Sequence, residues 1–309
     1  MMNTTLKNIT KILAFSLVLA ASLHSAQAAT TTFPHTYVSG TGSDTNNTIC
    51  SRTAPCATFQ AAINNTSAGG VVTAIDAGDY GPVTITNQSV TIDGTGTQAS
   101  IVTNSTDAIT VNAGTGNTVI LRHLTLTGVA GSGNGVTLGS GNLVVDDCKI
   151  SGFVNNFGIV LGSSGNTVVE DTTVTGCTEG VTSSGTGLLS LHNVTLQGNT
   201  YGLDAEGGPT DISHSQITQN SFAGLYAYGV NGAGSGTLSA SGCMVSGNGT
   251  GIYANTGSVI RLTNNDIFNN TVGIDTTSGG GLVSTAGNNR KGGNPTPGAP
   301  TPGKVIVVQ

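Results

Sequence analysis

Charge is what this chain has least of. Asp, Glu, Lys and Arg make up 8% of its 309 residues, against about 25% in an average soluble domain. Lysine and arginine number 9 against 15 acidic residues. So few cations cannot track a phosphate backbone, and nucleic acid is not an expected partner. Past the N-terminus no apolar run approaches the ~18 residues that span a bilayer. No stretch of the repeat described below spaces its apolar residues by three and four, so a helical solenoid is excluded as well.

What the chain has is glycine, 47 residues of it, set in a register. A glycine followed by an aliphatic residue recurs at Gly135-Val136, Gly158-Ile159, Gly180-Val181, Gly202-Leu203, Gly224-Leu225, Gly251-Ile252 and Gly273-Ile274, at intervals of 23, 22, 22, 22, 27 and 22 residues. A fixed period of that size means one supersecondary unit repeated and stacked, each unit unable to bury its apolar face alone. Residues 241–284 show the unit twice. Cys243-Met244-Val245, Gly251-Ile252-Tyr253-Ala254 and Val259-Ile260-Arg261-Leu262 are three very short β-type segments separated by polar corners, and the next 22 residues repeat them. Segments this short and β-branched must pair with their equivalents one turn away, giving an all-parallel coil. Crossovers between parallel strands are right-handed, so the coil is too. Asparagine three residues before the glycine, at Asn155, Asn199, Asn248 and Asn270, suits a corner where stacked amides bond along the axis.

The ends differ from the middle. Lys7 and Lys11, an apolar stretch from Ile12 to Leu23 and Ala26-Gln27-Ala28 have the form of a secretory signal. Residues 1–28 are therefore expected to be a signal peptide, leaving no transmembrane segment after its removal and a net charge near −8. The expected location is secreted, periplasmic or at the cell surface. Cys50 and Cys56 flank a short proline-containing loop, which in an oxidising compartment predicts a disulfide; a metal pair would lack nearby His or Cys partners. Cys148 and Cys243 fall in one inward slot four repeats apart, too distant to bridge, and Cys177 has no assigned place. Ala57–Asn64 is the best helix, with Phe59 and Ile63 on one face, and is expected to plug the first coil. The division is a cap over 29–70, a β-helix over 71–287, and a Pro/Gly linker with a terminal strand over 288–309.

With these features in place the chain resembles the right-handed parallel β-helix proteins of the pectin-lyase-like superfamily. The resemblance runs through Tyr37-Val38-Ser39-Gly40, the Cys50–Cys56 loop, the helix, Gly69-Gly70-Val71-Val72 and Thr91-Ile92-Asp93-Gly94, over residues 37–287. It implies a single-stranded right-handed parallel β-helix of about nine coils with a short N-terminal capping helix. It does not carry a mechanism. Of the Asn-Thr-Asp, Asp-Asp, Gly-His-Gly and Arg-Ile-Lys segments of polygalacturonase-like members only Asp146-Asp147 is present. The calcium nonapeptide of β-rolls is missing too.

Two constellations follow from stacking the coils. On the strand after the register glycine, Thr182, Asp204, Tyr226, Tyr253 and Asp275 fall in one outward row with Tyr201, Glu206 and Tyr228 beside it. Aromatic faces take the apolar face of a sugar ring and carboxylates accept from its hydroxyls, and the resemblance implies a polysaccharide groove along this strand. Tyrosine is also simply a good exposed strand residue. At a corner, Arg122-His123, Asp146-Asp147, Glu170-Asp171, His192-Asn193 and Ser213-His214 form a second ladder ~4.8 Å per rung. Asp146, Asp147, Glu170 and Asp171 are the candidate ligands of a Ca²⁺ ion or an acid/base pair; the alternative is a salt-bridge ladder that fixes rung order. His123, His192 and His214 do not converge as zinc ligands would. The sequence thus reads as a secreted β-helix contacting polysaccharide or a surface glycan through Tyr201, Asp204, Glu206, Tyr226, Tyr228, Tyr253 and Asp275. A polysaccharide lyase, hydrolase or epimerase, and an adhesin-like structural protein, are the alternatives.

Overall fold

Short β-branched triplets punctuated by glycine have no partner within one turn, and in the structure each pairs with its equivalent one turn away. The computed structural model describes residues 32–229, 236–277 and 280–306; the expected signal peptide lies outside the described residues. Within them the chain forms one helix and 31 strands, numbered here β1–β31 in chain order. The strands make three parallel sheets. The first, of 11 strands, runs from β1 (Phe33–Val38) and β2 (Thr66–Ala74) to β29 (Leu282–Thr285). The second, of 10, runs from β4 (Val83–Thr86) to β31 (Thr296–Gly298) and carries the register glycines. The third, also of 10, runs from β3 (Gly78–Asp79) to β30 (Arg290–Gly292). This is the expected right-handed parallel β-helix of about nine coils.

Inward positions are filled by stacked aliphatics. Val245, Ile252, Ile260 and Ile267 are fully buried, each contributing about 1.5–3 kcal/mol by leaving water. The register glycines are required by close approach rather than by backbone angle. A Cβ on Gly202 would lie 2.6 Å from the Gly224 carbonyl and 2.9 Å from the Asn220 amide; one on Gly251 would meet Gly273 O at 2.8 Å and the Asn270 amide at 2.9 Å.

Those amides belong to a ladder. Asn199, Asn220, Asn248, Asn270 and Asn294 each accept from the backbone N–H of the ladder residue one coil earlier, at 2.8–3.0 Å. Each also donates to a core-strand carbonyl, for example Asn248 Nδ2 to Ile217 O at 3.0 Å. The slot is the residue following a left-handed corner position, Gly198, Gln219, Gly247, Asn269 and Gly293 in turn. Asn155 is therefore not in the ladder: it is exposed, and its coil places Phe153 in the slot, after Gly152. Cys177, after Gly176, occupies the slot between them.

Cys148 and Cys243 share the slot at the other corner, after left-handed Asp147 and Gly242, both buried and free as expected. Cys50 and Cys56 form the expected disulfide.

Both ends are covered. Helix α1 (Phe59–Asn65) is N-capped by Thr58 and buries Phe59, Ala62 and Ile63. Inside the stretch read as a cap, β1 already pairs with β2 and lengthens the first sheet. At the other end the structure differs from the linker read over 288–309. β30 pairs with β27 (Asp266–Phe268) and β31 with β28 (Val272–Asp275), so the coil continues to residue 298. Asn294 completes the asparagine ladder there, a stronger local determinant than the prolines around it. Val305 then bridges to Thr285, placing the tail against the edge of the first sheet.

Candidate functional site

The register glycine also shapes the outer face of the second sheet. At Gly180, Gly202, Gly224, Gly251 and Gly273 the chain makes its close approach to the asparagine ladder, and the residue before the glycine and the residue two after it share one outer surface. On β19 (Tyr201–Ala205) these are Tyr201 and Asp204. The predicted row is real: Thr182 pairs with Asp204, Asp204 with Tyr226, Tyr226 with Tyr253 and Tyr253 with Asp275. These residues lie on β16 (Glu179–Ser183), β19, β22 (Ala223–Ala227), β25 (Thr250–Ala254) and β28.

Tyr201, Tyr226 and Tyr253 form a continuous aromatic surface. Tyr226 lies 5.2 Å, centroid to centroid, from both Tyr201 and Tyr253. Phe222, from the corner before β22, joins it at 4.8 Å from Tyr201 and 5.8 Å from Tyr253. Phe222 is 43% exposed. The Tyr226 hydroxyl accepts from Asn255 Nδ2 at 2.8 Å, and burial pushes this phenol up to about 12.

Asp204 is not exposed as the sequence suggested; it is 3% accessible. It sits between Thr182 in the coil before and Tyr226 in the coil after, with Tyr201 of its own strand beside it, and this packing shuts out water. Its Oδ1 is buried with no hydrogen-bond partner. Burial first, then the charges of Glu179 and Glu206, push its carboxyl up to about 8. Glu179 accepts a short hydrogen bond from the Thr182 hydroxyl; its own carboxyl is raised by burial, an effect the Thr182 bond opposes.

Phe222 and Glu179 escaped the sequence reading. Both lie beyond the row, Phe222 two residues before the register glycine and Glu179 one before it, a position where Tyr201 alone was noticed. Of the other expected residues, Tyr228 follows the strand and does not stack with the three tyrosines. Asp275 holds its turn, accepting from the backbone N–H of Thr277 at 2.9 Å. Glu206 lies just past β19, half-buried and close enough to act on Asp204.

The corner ladder is also assembled, and its charges are shared out in pairs. Asp146 takes a bond from Arg122 Nε at 3.1 Å, Asp147 lies 3.3 Å from His123 Nε2, and Asp171 accepts from Asn193 at 2.6 Å. Glu170 stacks between Asp146 and His192. His192 and His214 meet edge to face at 5.3 Å. Asp147, Asp171, Asn193 and His214 all have left-handed backbone, so this column is a set of corner residues first of all. Among the described residues no group of three or more His, Cys, Asp or Glu side chains is arranged to hold a metal ion.

Three parallel sheets and a capping helix define a right-handed parallel β-helix. Over residues 63–294 the chain matches the family model described as periplasmic copper-binding protein (NosD), and it belongs to that family. Among solved structures it is similar to the crystal structure of pectate lyase Pel9A, with a TM-score of 0.62 at 14% identity, covering 90% of this chain and 79% of that one. Identity that low shows the shared fold alone. No curated protein matches the chain.

Proposed function

We propose that this is a periplasmic or secreted β-helix protein that contacts polysaccharide through the aromatic face of its second sheet. The observation that carries the reading is the four-ring surface of Tyr201, Phe222, Tyr226 and Tyr253. A flat sheet presenting contiguous rings spaced by coils offers stacking positions to successive sugars of an extended chain. The signal-like residues 1–28 and a family described as periplasmic support the location, and among the described residues no helix is long and apolar enough to cross a membrane. The test is retardation in polysaccharide-containing gels, comparing the parent with Tyr226→Ala/Tyr253→Ala. Retardation of the parent and its loss in the variant are expected; equal migration of the two removes the reading.

Copper is the ligand named for the family, and the residues present do not fit a resident copper centre. Copper sites draw on His, Cys and Met donors. Cys148 and Cys177 are buried, their thiols pushed up to about 12 and about 11 by desolvation, and Met244 is exposed on a third-sheet strand. His192 and His214 make a pair, with His192 Nδ1 at 3.0 Å from the Ser213 hydroxyl, and among the described residues no third donor joins them.

One observation favours a second reading, a polysaccharide-cleaving enzyme: Asp204 keeps a proton to about pH 8 beside two other carboxyl groups, and acid–base pairs are built from carboxyls whose environments push their pKa values apart. New reducing ends or unsaturated product from a pectin, alginate or host-glycan panel, lost in Asp204→Asn, would establish it.

A further inference from the structure

The strands of the second sheet contain no lysine or arginine among the described residues. The basic residues lie elsewhere: Arg122 and Arg261 on the first sheet, Lys149, Arg290 and Lys291 on the third, Arg52 and Lys304 near the two ends. Against the aromatic cluster stand three acids instead, Glu179, Asp204 and Glu206. Their cluster is more than surface charge, because Asp204 is almost fully buried and its Oδ1 accepts from nothing. A buried acceptor without a donor is destabilising. Among the described residues no set of donors here fits a metal ion, and a ligand that brought a donor to it would relieve that cost.

We infer that this face selects glycans carrying free amino groups, of the polyglucosamine class, and rejects uronic acid polymers. The inference rests on the glycan contact proposed above and names its substrate class. An ammonium group answers both halves of the patch: the ring faces attract a cation, and the carboxyls attract and hydrogen-bond it. A polyuronate would bring its own carboxylates against Glu179 and Glu206 with no cation between them, a like-charge juxtaposition that works against binding. Ligand binding is also coupled to a proton. The free protein holds Asp204 protonated at neutral pH, and an ammonium placed over the trio favours the carboxylate, so binding releases a proton to buffer.

The test is calorimetric titration of the mature protein with three soluble ligands: a glucosamine oligomer, its fully N-acetylated counterpart and an oligogalacturonate. The glucosamine oligomer is expected to bind about tenfold more tightly than the acetylated one, the factor supplied by ~1.4 kcal/mol of charge contact, and the galacturonate not at all. Repeating the titration in buffers of different ionisation heat should show proton release. Asp204→Asn abolishes that release, and Glu206→Gln, at a half-buried position that threatens the fold less, reduces the preference. Equal affinity for the acetylated oligomer, or binding of the galacturonate, overturns the inference and leaves the glycan contact standing. Failure of all three ligands together with unretarded migration on every polysaccharide gel removes both.

Discussion

Replacing Asp204 by Asn should remove a fall in stability with rising pH. In the unfolded chain this carboxyl titrates near 3.8, and in the folded protein near 8. Below the lower value both states are protonated and the site costs nothing. Between the two values the native state holds a proton that the unfolded state has released, so stability falls as pH rises through that window. The gap is about four pKa units, and at ~1.4 kcal/mol per unit the full cost is roughly 6 kcal/mol by the top of the window. Asparagine carries no charge and removes this slope. Relative to the parent, Asp204→Asn should gain stability progressively as pH rises from 3.8 toward 8, whatever constant offset the amide adds through its own fit. The assay is the urea midpoint of both proteins at closely spaced pH values, or the unfolding rate if refolding is incomplete. Parallel curves for parent and variant would refute the burial and mutual repulsion from which the shift is reasoned.

Four further outcomes follow from the structure. Gly202→Ala drives a Cβ to 2.6 Å from the Gly224 carbonyl and 2.9 Å from the Asn220 amide, and should cost about 1–3 kcal/mol, visible as a lowered melting temperature. Asn248→Ala leaves the Asn220 backbone N–H without its acceptor and removes the amide's bond to the Ile217 carbonyl in the buried ladder, and should destabilise by about 1–3 kcal/mol, read from urea midpoints. Arg122→Ala removes an exposed pair with Asp146 and should cost under about 1 kcal/mol. Added Ca²⁺ should leave the parent's melting temperature unchanged, since Arg122, His123 and Asn193 already hold three of the corner acids; a Ca²⁺-dependent rise would instead assign Asp146, Asp147, Glu170 and Asp171 to a calcium site.

The coil was legible because its period is. An interval of 22 residues keeps equivalent side chains in register, so the column from Thr182 to Asp275 could be placed from glycine positions alone. The asparagine ladder was only partly legible. Its rule is the residue after a left-handed corner, and counting back from the glycine finds Asn199, Asn248 and Asn270 but misses Asn220, one position further back. It also wrongly takes in Asn155. The burial of Asp204 was not legible, since it depends on Tyr201, three residues earlier on the same outer surface, and on the coils either side. Strict alternation along a strand forbids that sharing; the close approach at the glycine permits it. The path of residues 288–306 was hidden by prolines that read as a linker, while the determinant, Asn294, looks like any other corner asparagine.

The claim at the centre is that rings from three coils form one ligand-binding surface, and the chain provides its own reporter. It contains 6 tyrosines and no tryptophan, and three of those tyrosines line the face, so a change there appears in the tyrosine emission with no tryptophan signal to mask it. Titration with a glucosamine oligomer should change that emission saturably in the parent and not in Tyr226→Ala/Tyr253→Ala. Emission that stays constant in the folded parent, up to concentrations where the same oligomer binds by calorimetry, would place the binding elsewhere and contradict the account.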